Sequence, residues 1–100
     1  ERIFMYRLLR IARKDNTPLC GYEQDDYVVP SEANKKSMTN LLDEFIATRL
    51  YSLNLVSSIS DENLKHLGNA SDSPVSARAC AFILLGHSIW HINIIKERYL

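Results

Sequence analysis

The residues best suited to chemistry in this chain are His87 and His91, in the segment His87-Ser88-Ile89-Trp90-His91. A separation of four puts both imidazoles on one helical face, about 5–6 Å apart at Cβ. Two ring nitrogens placed so can converge on one divalent ion. No Glu follows the first histidine, so the general base of a zinc protease of the H-E-x-x-H type is missing. Either histidine can equally be a hydrogen-bonded core residue. The pair steps along with Leu84 and Ile94, which points it at a helical interior, where a neutral imidazole needs a partner for its N–H or its lone pair.

Two charges also fall on apolar stripes. Glu1 lies one turn before Phe4 and Met5, and Arg49 lies between Phe45 and Leu53. A charge facing a core is costly unless it is paired or ligated. Glu1 is therefore a candidate catalytic residue, as an outer acceptor for a ligating histidine or as a carboxylate beside a metal-bound water. The alternative is that Glu1 sits at a frayed helix end and that Arg49 snorkels or pairs with Glu44 or Asp43. Trp90, on the next face, reads as a core or subunit-contact aromatic. Cys80 is two turns before His87, too far along the helix to bind the same ion, and reads as a small core residue. His66 lies in a polar turn and reads as surface. The acidic run Glu23 to Asp26 lacks calcium-loop spacing and reads as a solvated loop.

Three amphipathic helices must position these groups. The first spans Glu1 to about Lys14, with Phe4, Leu8 and Ile11 on its stripe and Met5 and Ala12 on the shoulder. The second starts at Ser31 or Asn34 and runs to Ser58, striped by Met38, Leu41, Leu42, Phe45, Ile46, Leu53 and Val56. The third is capped by Ser76 and runs to about Tyr99, about 36 Å long. An aperiodic connection from Asp15 to Asn34 is expected to lie pinned over the bundle by Leu19, Tyr22, Tyr27, Val28 and Val29. A short helical turn near Ser60 is expected to end at Gly68. The fold class is all-α, as one domain over residues 1–100. Three such stripes are better closed by a fourth helix, and the chain opens mid-pattern on Glu1-Arg2-Ile3-Phe4, as if a first helix preceded it.

Composition narrows the functional classes. Lys+Arg and Asp+Glu are 12 each, so the net charge is zero, which argues against an electrostatic nucleic-acid binder or an anionic membrane surface as partner. The apolar fraction of 46% and charged fraction of 24% fit a folded domain rather than a disordered one. No apolar run approaches the roughly 18 residues of a membrane span. Cys20 and Cys80 form no C-x-x-C pair and no disulfide framework, which suits a cytoplasmic setting.

The stretch Ser76-Ala77-Arg78-Ala79-Cys80-Ala81-Phe82-Ile83-Leu84-Leu85-Gly86-His87-Ser88-Ile89-Trp90-His91, with Ile94-Ile95-Lys96-Glu97-Arg98-Tyr99-Leu100, resembles the last helix of the DinB-like superfamily. Glu1 to Arg7, followed by Arg13-Lys14-Asp15-Asn16-Thr17-Pro18-Leu19, looks like its second helix and the loop after it. Leu41 to Arg49 is similar to its third. The resemblance covers essentially the whole chain, and Gly86-His87…His91 is its most specific part. It implies a DinB/YfiT-like up-down four-helix bundle with a divalent metal, zinc or nickel, held by three histidines. Two of these match His87 and His91. The third belongs a few residues before the position of Glu1, where this sequence has none. Trp90 stands where the family often has a further histidine. Members include thiol-dependent S-transferases and proteins induced by DNA damage or stress. The resemblance thus implies a metal-dependent hydrolase or thiol transferase acting on a small molecule or thiol, as a homodimer. The alternative is a non-catalytic structural or interaction module.

Overall fold

A computed structural model describes residues 1–100. The order is α1 (Arg2–Ala12), α2 (Asp25–Ser31), a 3-10 turn (Ala33–Lys35), α3 (Met38–Ser57), α4 (Asp61–Leu64), β1 (Leu67–Ala70), β2 (Ser73–Ser76) and α5 (Ala77–Arg98). Side-chain hydroxyls start three of the helices. Ser37 accepts from the Asn40 N–H, Ser60 from Asn63 and Ser76 from Ala79. Each bond satisfies an N–H with no partner in the first turn. Ser76 is therefore the cap that the sequence predicts. The second long helix starts later than predicted, at Met38 rather than Ser31 or Asn34. Ser31 instead ends α2, and Glu32 turns the chain at φ 53°.

Two further elements depart from the sequence reading. The acidic stretch after Gln24 is not aperiodic: Asp25 and Asp26 sit in the first turn of α2, where carboxylates complement the helix dipole. The fold is also not purely α-helical. β1 and β2 form an antiparallel hairpin in the register Leu67↔Ser76 to Ala70↔Ser73. Ser71 and Asp72 make its two-residue turn, at φ 51° and 62°. Positive φ at both positions is what a tight hairpin turn with the right twist requires. Gly68 lies inside β1 rather than terminating a helix. A Cβ there would come within 2.6 Å of Ile11 Cγ1, so the missing side chain lets the hairpin approach α1.

The connection after α1 is pinned at one point. Leu19 donates to the Asn69 carbonyl at 2.9 Å and accepts from the Ser71 N–H at 3.0 Å, as a parallel bridge beside β1. Its side chain is buried, as predicted. Tyr27, Val28 and Val29 are exposed, so the pinning does not extend to α2.

The core comprises Met5, Leu8, Ile11 and Ala12 of α1 together with Leu19, Ala70, Ala77 and Cys80. Leu8 and Ile11 of the predicted α1 stripe are buried together with the shoulder residues Met5 and Ala12, while Phe4 is only partly buried against them. α1 is the packing partner shared by α3 and α5. Part of the predicted stripe of α3 is open, with Phe45, Ile46 and Leu53 each at least half exposed, and so are Phe82, Leu85 and Ile89 on the outer face of α5. Only ten residues are buried, and the radius of gyration of 15.1 Å exceeds the roughly 13 Å of a compact 100-residue domain. The sequence expectation that no segment could span a membrane does not hold for α5. α5 is long and apolar enough to cross a membrane, with mean hydropathy 1.3 over an 18-residue window. Only 6% of that window is buried, and His87, Asn93 and Lys96 interrupt the apolar run.

Candidate functional site

α5 carries the two histidines on adjoining turns. Their Nε2 atoms are 3.0 Å apart and the ring centroids 4.5 Å apart, with the planes inclined by 65°. The rings converge as predicted. Trp90 packs edge-on against His91, at 4.8 Å and 74°, and lies nearly parallel to His87 at 6.4 Å. The indole thus buttresses the pair from one side. Both histidines are exposed, however, and not inside a closed bundle. The physical reason is that α1 covers mainly the first turns of α5, around Ala77 and Cys80, and no helix covers the other side.

The spacing of the nitrogens fits chelation. Two Zn–N bonds of about 2.05 Å at a tetrahedral angle separate the nitrogens by about 3.3 Å, and at a right angle by about 2.9 Å. The observed 3.0 Å lies between these values. It equally suits a hydrogen bond from one Nε2–H to the other ring's lone pair. The donor set is incomplete in one respect: no third His, Cys, Asp or Glu joins the pair.

Glu1 and Arg49 find each other. The Arg49 Nη2 lies 2.9 Å from Glu1 Oε1, and Nε reaches both carboxylate oxygens at 3.1 and 3.2 Å. Ser52 Oγ donates to Glu1 Oε2 at 2.6 Å and is itself buried. Arg49 Nη2 also donates to Ser88 Oγ at 3.1 Å, which ties α3 to the turn between the histidines. Arg49 does not pair with Glu44, which binds Arg2 and Lys36 instead. Burial by itself raises the Glu1 carboxyl. The hydrogen bonds from Arg49 and Ser52 and the Arg49 charge outweigh it and hold the group below the usual carboxylate range. Glu1 is thus a fixed anion at neutral pH.

Glu1 and His87 line the same cleft, about 680 Å³, between α1, α5 and the segment Tyr22–Gln24. Its far end holds Arg7, which the sequence reading left unassigned. Arg7 is 7% exposed and donates from Nη2 to the Cys20 carbonyl at 3.0 Å and to Ser71 Oγ at 3.1 Å. The available signal was its place on the buried side of α1, three residues after Phe4 and one before Leu8. The remaining candidates stay apart from this centre. Cys80 is buried, and burial pushes its thiol up, so it is protonated at neutral pH. Half-buried His66 bonds Asn63 Oδ1 through Nε2, and Glu23 to Asp26 are exposed, although Asp25 and Asp26 belong to α2 rather than to a loop.

The fold is mostly helical, with two paired histidines on its last helix, and His87 lines the cleft. The family model of the DinB superfamily matches residues 1–95, and the chain belongs to that superfamily. Comparison with curated proteins and with solved structures found no match.

Proposed function

We propose that this protein is a divalent-metal-dependent enzyme, a hydrolase or thiol S-transferase, with His87 and His91 as two protein ligands to zinc or nickel. The observation that carries the reading is the 3.0 Å separation of two Nε2 atoms beside an open cleft. A bound metal would act as a Lewis acid and lower the pKa of a water or thiol on it. The chain's own residues have definable tasks. Trp90 limits the swing of both rings. Arg49 and Ser52 fix the Glu1 carboxylate at the cleft wall, and Arg49 restrains Ser88 between the histidines. Glu1, held as a carboxylate in its ion pair with Arg49, would then be the acidic group in the same cleft wall as His87.

Three other features belong to this reading. The open faces of α3 and α5 support an up-down four-helix bundle in which a further helix covers Phe45, Ile46, Leu85 and Ile89 and brings the third ligand. Remaining apolar surface suits a homodimer. Two free thiols, Cys20 and Cys80, suit the cytoplasm. A second reading, a non-catalytic interaction module, draws on the same 3.0 Å as a plain hydrogen bond. Metal analysis after chelation and repletion separates them. The account expects stoichiometric metal in the wild type and loss of it in His87→Ala and His91→Ala. Equal metal content in all three proteins would overturn it.

A further inference from the structure

Arg7 is a buried cation with no counter-anion. None of the five ion pairs in the protein includes it. A guanidinium has five N–H groups, and only Nη2 has protein acceptors, both of them neutral. No buried side-chain nitrogen or oxygen lacks a partner, so the unbonded Nε and Nη1 retain access to solvent. Its Cζ lies 5.3 Å from the Phe4 ring centroid and 5.8 Å from that of Tyr22, both in the cleft wall. Such faces favour a cation, but they do not neutralise it.

We propose that Arg7 is an anion subsite of the cleft and binds the carboxylate of a small organic substrate whose other end reaches toward His87. The inference deepens the function proposed above by naming a substrate class. The subsite itself depends on the surroundings of Arg7 and not on the histidines. A single negative charge is indicated because Arg7 is the only Lys or Arg in the wall, while Glu1 and Glu23 oppose a second. A phosphate dianion would need another cation or a group of converging N–H donors. Glu1 is already committed to Arg49, and Glu23 is exposed and forms no ion pair. The wall also carries Phe4, Ile83, Leu84 and Trp90, against which a hydrocarbon or aromatic body fits.

The test uses protein stripped of metal by chelation, so that it stands apart from the metal reading. Benzoate, its neutral counterpart benzamide and inorganic phosphate are titrated separately while the Arg7 Nε–H and Trp90 indole N–H are followed by NMR. Benzoate is expected to shift both signals saturably and to bind at least tenfold more tightly than benzamide or phosphate. Arg7→Gln should reduce benzoate to the level of benzamide. Arg7 also ties the loop to the hairpin, so the wild-type comparison decides if that variant does not fold. Equal binding of benzoate and benzamide, tighter binding of phosphate, or an unmoved Arg7 signal would overturn the proposal.

Discussion

The contact that seats the hairpin on α1 can be tested by adding one methyl group. In Gly68→Ala the new Cβ would meet Ile11 Cγ1 at 2.6 Å, Cδ1 at 3.1 Å and Cγ2 at 3.3 Å. Ile11 is 1% exposed and β-branched, so its side chain has little freedom to withdraw. Gly68 has no positive φ, and alanine suits the backbone there. The methyl therefore has two effects of opposite sign. Overpacking costs about 1–3 kcal/mol. Reduced freedom of the unfolded chain returns about 0.4–1 kcal/mol. The net expectation is a loss of about 1–2 kcal/mol, read as a fall in urea midpoint at constant slope by circular dichroism. A double-mutant cycle isolates the cause. Ile11→Ala alone should cost about 2–5 kcal/mol, but it removes all three opposing atoms. The double variant should then be more stable than the sum of the single losses predicts, by about 1 kcal/mol or more. Additive losses, or a Gly68→Ala protein as stable as the wild type, would refute the reasoning.

Other expectations concern charges and the turn. Asp15 is held down to about 2, chiefly by the hydrogen bond from Arg10 and then by the Thr17 N–H. Its contribution to stability is present above the ordinary value near 3.8 and is lost as pH falls toward 2, and Asp15→Asn should flatten that part of a urea-midpoint profile. In Arg49→Met, the Glu1 carboxyl keeps Ser52 but loses its cation, so its midpoint in a carbon-13 NMR titration should rise, with a stability loss of about 1–3 kcal/mol. Asp72→Gly should stabilise the protein by about 0.5–1 kcal/mol, because glycine adopts the left-handed turn without strain; an unchanged melting temperature would contradict this.

The helical core and the pairing of the histidines were legible in the sequence because both follow from the 3.6-residue period. Phe4, Leu8 and Ile11 mark a face, and His87 and His91 share one. The hairpin was not legible. Its turn is Ser71-Asp72 rather than Asn-Gly, and its strands are four residues long, too short to show alternation. The partner of Arg49 was misjudged between near and far carboxylates. Glu44 is close in sequence, but Glu1, 48 residues away, has the geometry. Arg7 lies on the buried side of α1, three residues after Phe4, but among Arg2, Arg10 and Arg13 of the predicted first helix that position did not single it out. Its burial depends on Cys20 and Ser71, brought in by the loop and the hairpin turn. The exposure of the histidines follows from packing around α1, which helical periodicity does not report.

The central claim is that His87 and His91 act together on one cation. Nitrogen-15 NMR of the two imidazoles during zinc addition tests it most directly. The account predicts that both Nε2 resonances move together and saturate at one zinc per chain. A response from only one ring, or two Nε2 resonances unmoved at saturating zinc, would contradict it.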